Sequence, residues 1–211
     1  MKPTPIVNRD TIQQVEQQAK LNLTYGVLMG VAGILAAVSL LTNSVPILVG
    51  SMIVAPALGP IALMAFALVR GQPMLAIRGL VVALTGLAVA TLAAMLTTWV
   101  MNVTSVIPPE TNLLNKHLLE ERVNPGWYSV AAALASGIAG TIALAQQRTD
   151  TLVGAVAALA LVPAAAAAGI ALLSGDWERA LGGFSLLGIN ISLIVLGGIV
   201  TLCIMRPDQQ D

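Results

Sequence analysis

Long apolar runs separated by short polar or helix-breaking stretches dominate the chain. Each run approaches the roughly 20 residues that a helix needs to cross a bilayer core about 30 Å thick. Apolar and polar positions do not alternate within the runs, so the pattern does not indicate barrel strands. It predicts an all-α integral membrane protein with six transmembrane helices over residues 23–42, 46–69, 74–102, 127–147, 151–173 and 180–205.

The composition agrees with a membrane location. Hydrophobic residues make up 57% of the chain and charged residues 9%, whereas soluble domains carry about 25% charged residues. A chain of 211 residues could not bury so much apolar surface in an aqueous core. Its formal net charge is zero, which leaves no basic field for nucleic acid. We therefore expect membrane lipids around the protein and no nucleic-acid partner.

The basic residues predict the orientation, because cytoplasmic loops are enriched in Lys and Arg. With six spans both termini lie on one side, and that side holds seven basic residues against three on the other. We therefore expect a multi-pass protein of the inner (cytoplasmic) membrane with both termini in the cytoplasm. Trp99, Trp127 and Trp177 then all fall at the outer interface, where aromatic rings are favoured.

A repeat with a constant offset of 104 residues divides the membrane region in two. Leu48-Val49-Gly50 recurs as Leu152-Val153-Gly154, and Gly79 recurs as Gly183. Each copy contains three spans, so the second copy enters the membrane from the opposite side, giving two inverted three-helix repeats. The predicted segments are a cytoplasmic amphipathic N-terminal segment (1–22), repeat 1 (23–102), an extracytoplasmic loop with an interfacial helix (103–126), repeat 2 (127–205) and a cytoplasmic tail (206–211).

Helices 2 and 5 of the six are predicted to be interrupted by Pro and Gly. Pro56, Gly59 and Pro60 cannot all sit in an unbroken helix, because proline removes a backbone donor and crowds the preceding turn. Pro163 occupies the matching position to Gly59 in the fifth span. Backbone groups freed near mid-membrane must be satisfied by neighbours, water or a ligand. A kink that only shapes packing is the alternative interpretation.

Few polar side chains share the depth of these breaks. Asn190 stands out, since an amide in hydrocarbon needs partners, and interhelical packing is its alternative role. No ionisable side chain lies in the middle of a span, which disfavours a pump with a proton relay. The candidate substrate path comprises Ser51, Pro56, Gly59, Pro60, Pro163, Asn190 and Ser192, and the candidate entrance comprises Arg122 and Asp176.

Motifs for catalysis or cofactor binding are absent from the sequence. It contains no phosphate-binding loop, zinc motif or nucleophile elbow. His117, Glu120 and Glu121 have metal-ligand side chains, but nothing nearby completes a site. We therefore expect no enzyme, no cofactor and no metal. Gly26 and Gly30 form a small-residue face typical of helix contacts within or between protomers, so a homo-oligomer stays open.

The stretch from Gly50 to Pro60, Gly-Ser-Met-Ile-Val-Ala-Pro-Ala-Leu-Gly-Pro, resembles a widespread prokaryotic membrane family, domain of unknown function 389. Further similarity lies at Arg122-Val123-Asn124-Pro125, at Ala160-Leu161-Val162-Pro163 and at Gly175-Asp176-Trp177. The resemblance covers nearly all of residues 23–205 and implies a membrane location and a helical fold, without an activity. The chain departs from the family pattern at Ala55, where serine is usual, and at Ala164, where a second proline is common.

These observations favour one function class over another without deciding the solute. Inverted repeats and interrupted helices are typical of transport proteins. We expect a channel or passive carrier for a small solute or ion, with its path near the broken second and fifth helices. The alternative is a non-transporting membrane scaffold or accessory subunit that packs through small-residue helix faces.

Overall fold

The computed structural model of the chain describes residues 13, 15–17, 19–104, 117–123, 126–145 and 161–205. Over these ranges the protein is helical with no strand, so the predicted all-α class is confirmed. The helices are α1 (Leu23–Thr42), α2 (Val45–Val54), α3 (Leu58–Val69), α4 (Pro73–Val103), α5 (His117–Val123), α6 (Trp127–Ala145), α7 (Val162–Leu173) and α8 (Trp177–Met205).

The helices differ in how much of a membrane they can cross. By length and composition α1, α4 and α8 are long and apolar enough to span one, and α2 with α3 makes a fourth span if the pair is counted together. That pair is bent by 54° at its break, so the helical segment is interrupted at the predicted prolines. The helix α7 and the part of α6 from Ser129 onward are shorter apolar helices. Residues 151–160, which include the predicted first half of the fifth span, lie outside the described residues.

Two tight turns join antiparallel helices in the same way. Gly71 between α3 and α4 has φ 68°, and Gly175 between α7 and α8 has φ 78°. Glycine is favoured there because it adopts this left-handed conformation without a steric penalty. In both turns the amide after the glycine donates to a carbonyl five residues earlier, Gln72 to Ala67 at 2.9 Å and Asp176 to Ala171 at 3.1 Å. This bond closes the end of each helix.

The offset of 104 residues found in the sequence recurs in the secondary structure. It separates the first residues of α1 and α6, of α3 and α7, and of α4 and α8, and also the last residues of α3 and α7. It also relates Gly71 to Gly175. The helix bounds in the described residues therefore follow the same offset as the residue identities in the sequence.

Close helix crossings recur with the same offset. A Cβ atom on Gly33 would overlap the carbonyl oxygen of Ala90, and one on Gly137 would overlap that of Ile194. The backbones of α1 and α4, and of α6 and α8, therefore touch at equivalent positions. Without a hydrophobic driving force between helices in lipid, such close van der Waals packing is a main source of helix association.

The helix α7 lies at the centre of the described structure. It contacts α1, α2, α4, α5 and α8. Its residues from Val162 to Ala171 are all buried, and most of them are alanine. Because alanine side chains are small, five neighbours can approach this helix closely.

The residues before α1 follow a helical pattern of burial. Val15 and Ala19 are buried, whereas Gln13 and Gln17 are exposed. The Ala19 amide donates to the Val15 carbonyl at 3.0 Å. Glu16 extends to α4, where its Oε1 lies 3.1 Å from Nη1 of Arg78. One face of this segment therefore packs on the helices, and an exposed ion pair ties it to the start of α4.

We expect Gly33→Ala and Gly137→Ala each to destabilise the protein, because the new methyl group must displace a carbonyl on the neighbouring helix. Overpacking of this kind costs about 1–3 kcal/mol. The matched control is Gly26→Ala in α1, where an added Cβ has no heavy atom within 4 Å. Thermal unfolding in detergent measures the effect. Equal stability of the Gly33→Ala and Gly26→Ala variants would contradict the close backbone contact between α1 and α4 at Gly33.

Candidate functional site

The break between α2 and α3 follows from its prolines. Ala55 has φ −72° and ψ 119°, the extended conformation that a residue before proline prefers. Pro56 therefore ends α2. Pro60 lies in the first turn of α3, where the missing amide removes no bond within the helix. The two prolines thus act differently, since one stops a helix and the other is compatible with the start of the next.

Little of the break is accessible to solvent. Ala55 is 7% exposed and Ala57 3%, Gly59 and Pro60 are buried, and Pro56 is half-buried. No side chain caps the start of α3. Its first amides therefore depend on partners other than a capping side chain, and the positive end of the helix dipole lies inside the protein.

The start of α7 repeats these features. Pro163 lies in its first turn, Leu161 precedes it without a side-chain cap, and Leu161 and Val162 are fully buried. Pro163 therefore lies in the first turn of a helix, as Pro60 does. Both described half-helices, α3 and α7, start inside the protein with a proline and without a capping side chain.

The α4–α7 contacts fix the position of this start. Thr91 Oγ1 donates to the carbonyl of Leu87 in its own helix at 2.9 Å and to that of Ala165 in α7 at 3.3 Å. A Cβ on Gly169 would lie 2.8 Å from Thr91 Cγ2 and 3.1 Å from Met95 Cγ. The contacts on the α4 side extend from Thr91 to Met95 as those on α7 go from Ala165 to Gly169. Thr91 is near the middle of α4, and the first turn of α7 therefore lies at that level.

The side chains predicted for the path do not all come together. Ser51 is fully buried and its Oγ donates to the Leu48 carbonyl of its own helix at 2.7 Å. Asn190 is 1% exposed in the middle of α8. Ser192 is exposed and donates to the Gly188 carbonyl at 2.8 Å. The structure therefore places Ser51 and Asn190 inside and Ser192 on the outer surface of α8.

The two predicted entrance residues have different environments. Asp176 caps α8, since its Oδ1 accepts from the Arg179 amide at 3.0 Å, and its Oδ2 lies 3.6 Å from Arg179 Nε. Arg122 is partly buried in α5, and its Nε is buried without a hydrogen-bond partner. Burial lowers the pKa of the Arg122 guanidinium, and the neighbouring Glu121 carboxylate acts in the opposite direction. The Asp176 carboxylate thus has an ion-pair partner in its own helix, whereas Arg122 has none among the described residues.

The helix α5 is docked at both ends. The Leu118 amide donates to Oδ1 of Asn43, at the end of α1, over 3.1 Å. A Cβ on Gly182 in α8 would overlap the Val123 carbonyl oxygen. Near the start of α5, His117 Nδ1 lies 3.7 Å from Glu121 Oε1, with both side chains largely exposed. Across the described residues no group of three or more His, Cys, Asp or Glu is arranged to hold a metal ion.

Two hydrogen bonds between helices were not predicted from the sequence. The Tyr25 hydroxyl donates to the Val82 carbonyl at 3.2 Å, and its ring fills the space that the missing side chain of Gly86 leaves. The position of Gly86 matches Asn190 in the repeat, so a small residue there was a usable signal. The second contact, from Thr91 to Ala165, had no signal because it depends on how α7 packs.

An all-helical protein with several apolar helices of membrane-spanning length, packed through glycine and alanine, is a membrane protein in class. The particular chain belongs to the family called domain of unknown function (DUF389), whose profile matches residues 52–196. The resemblance predicted from the stretch around Pro56 is confirmed.

A distant relative extends the similarity over most of the chain. An uncharacterised protein of Methanocaldococcus jannaschii is 23% identical over 199 residues, which covers 94% of this chain and 59% of the relative. The chain therefore spans about three fifths of that relative's length. No solved structure matches the chain.

We expect Thr91→Val to weaken the α4–α7 contact while keeping the shape of the side chain. Loss of one hydrogen bond between membrane helices costs about 0.5–1.5 kcal/mol. Thr85→Val is the matched control, since Thr85 is exposed and donates to Val81 in its own helix. Thermal unfolding of both variants measures the difference, and equal losses would show that the bond to Ala165 contributes nothing.

Proposed function

We propose that the chain crosses the cytoplasmic membrane six times as two inverted three-helix repeats and forms a channel or passive carrier for a small solute or ion. The observation that carries this proposal is the pair of buried half-helices, α3 and α7, which start at equivalent positions inside the protein. Discontinuous helices at a repeat interface are where transport proteins commonly bind their solutes.

The directions of the helices support inversion of the second repeat. The helix α4 is the third span of the first repeat, and α7 belongs to the second span of the other. Two repeats with the same orientation would make these helices antiparallel, whereas inverted repeats make them parallel. The contacts of Thr91 and Met95 with α7 follow the parallel arrangement. Equivalent helices of the two repeats make the same contact, because α4 of the first contacts α7 of the second and α8 of the second contacts α3 of the first.

The lengths of α3 and α7 support a site at mid-membrane. Each has 12 residues, which gives about 18 Å of helix, or somewhat more than half of a core about 30 Å thick. In the inverted arrangement their N-termini approach the midplane from opposite sides. Each N-terminus carries a partial positive charge that attracts electronegative atoms. We propose that the solute passes this level, next to Pro56, Gly59, Pro60 and Pro163.

Polar side chains of the two repeats would complete this path. Ser51 and Asn190 are buried in α2 and α8, and the Ser51 hydroxyl can exchange its bond to its own helix for a solute. Arg122 and Asp176 lie near helix ends on the proposed outer side. Ser192, exposed on α8, would line the path only where another protomer covers it, and the oligomeric state therefore bears on its role.

Lipids would surround the exposed apolar sides of the long helices. The large exposed side chains include Leu23 and Val27 on α1, Leu92 and Leu96 on α4, and Leu196 on α8. In a bilayer such residues cost nothing, whereas in water an apolar surface of this extent would promote association.

We expect the two ends of the second repeat to react with thiol reagents from opposite sides of the membrane. Cys203 is exposed near the end of α8, and a membrane-impermeant maleimide should label it only from the cytoplasmic side. Gly126→Cys in a Cys203→Ser background should be accessible, because an added Cβ at Gly126 has no atom within 4 Å. In the proposed topology this cysteine should be labelled only from outside. Labelling of both positions from one side would contradict three spans between them.

We expect purified protein in liposomes to raise the flux of at least one small solute above that of empty liposomes. The screen covers alkali cations, chloride, phosphate, small carboxylates, urea and glycerol. Asn190→Leu should lower the flux about tenfold or more, corresponding to a barrier raised by about 1.4 kcal/mol. Gly188→Leu on the exposed side of the same helix is the control and should keep the flux. Size-exclusion profiles verify that both variants remain folded.

A second function is favoured by a different observation. Buried hydroxyls bond to carbonyls of their own helices, as in Ser39 to Ala36 at 2.7 Å and Thr98 to Ala94 at 2.9 Å, and the buried residues of α7 are almost all small and apolar. Such an interior also fits a non-transporting scaffold or accessory subunit. Absence of flux for every solute in the screen, with folded protein, would favour that role over the channel.

A further inference from the structure

Arg122 lies on the face of α5 that packs against the rest of the protein. It follows Leu118 by four residues and Leu119 by three, and residues at these spacings share one side of a helix. Both leucines are buried, with Leu119 fully so, as is Val123 next to Arg122. The helix is held in this position at its two ends by Asn43 and Gly182. The guanidinium is thereby directed toward the helix bundle rather than away from it.

Arg122 forms no ion pair within 4 Å among the described residues, and the carboxylate that acts on its charge is that of Glu121, the preceding residue, whose side chain is largely exposed. The Nε of Arg122 has less than 1 Å² accessible and makes no hydrogen bond. The ion pairs of the described ranges use other cations, namely Arg78 with Glu16, His117 with Glu121, and Arg179 with Asp176. A guanidinium nitrogen that is buried without an acceptor is costly, because its lost hydration is not replaced. An anionic ligand would remove that cost.

We infer that Arg122 anchors a binding site for a small oxyanion at the outer mouth of the proposed path. The guanidinium presents parallel N–H donors that match the two oxygens of a carboxylate, phosphate or sulfate. The inference names the substrate class of the proposed function and rests on it for the path, although the site itself can be tested without flux. The buried N-termini of α3 and α7 have the same sign of charge and favour an anion farther inside.

The test measures binding to the purified protein in lipid-free maltoside micelles. Sulfate, phosphate and acetate are compared with chloride at equal ionic strength. A saturating oxyanion should raise the apparent unfolding temperature by at least about 2 °C. In Arg122→Gln this rise should disappear, while the temperature without oxyanion should increase, because an unpaired buried charge has been removed. Arg122→Lys keeps the charge but loses the fork and should respond only weakly.

A matched control separates the site from general charge effects. Arg179→Gln removes one positive charge from the same proposed side, but Arg179 is already paired with Asp176. This variant should keep the full response to oxyanion. Equal responses of the wild type and Arg122→Gln, or a lower stability of Arg122→Gln in the absence of oxyanion, would overturn the inference and assign Arg122 to a structural ion pair.

A phosphate group has two sources, a soluble anion or a lipid headgroup. A second series adds phosphatidylglycerol to the micelles in place of soluble oxyanion. If soluble oxyanion raises the unfolding temperature and the rise depends on Arg122, the site binds a solute. If only the lipid produces a rise that depends on Arg122, the site binds a lipid headgroup. Either result supports oxyanion recognition. If the unfolding temperature rises in neither series, the inference is overturned.

The failure of this inference differs from the failure of the proposed function. If oxyanion binding depends on Arg122 but no solute shows flux, the oxyanion site is supported and the channel or carrier function is contradicted. Flux of cations or neutral solutes that Arg122→Gln leaves unchanged would leave the transport function and remove the oxyanion site. Flux of oxyanions that falls in Arg122→Gln and persists in Arg179→Gln would support both.

Discussion

The structure depends on how closely helix backbones approach when no side chain separates them. At Gly33 and Gly137 a neighbouring carbonyl occupies the space of a Cβ atom, and around α7 ten consecutive buried residues are small or compact enough for five helices to meet. In lipid the apolar surface gains little from leaving its surroundings, so packing has to supply the association energy. Small residues are therefore as necessary to this fold as large apolar ones are to a soluble core.

The second constraint is that backbone groups inside such a bundle need partners. Two helices nevertheless start inside the protein, and proline determines where. Pro56 imposes an extended Ala55 that ends α2, while Pro60 and Pro163 occupy first turns in which a missing amide is tolerated. The interior positive ends of α3 and α7 are a direct result.

Much of the fold could be predicted from the sequence, and less of the site. The bounds of the first span, the break at Pro56 and the position of the turn at Gly71 were all predictable, because each follows from local composition or backbone restriction. Pro163 was predicted to lie at a break in the fifth span, and the structure has it in the first turn of α7, while the residues before Leu161 lie outside the described ranges. Ser192 was assigned to the path but is exposed, since the face of a nearly uniform apolar helix cannot be read from periodicity.

The all-helical membrane class, the family and the offset of 104 residues could all be recognised without a structure, because each rests on composition or on the order of residues along the chain. Other contacts follow only from the packing of the helices, among them the bond from Thr91 of α4 to the Ala165 carbonyl of α7 and the placement of the Tyr25 ring over Gly86. These features depend on which helix faces meet. In helices made largely of Ala, Leu, Gly and Val, many faces are alike in composition, so packing in three dimensions makes that choice.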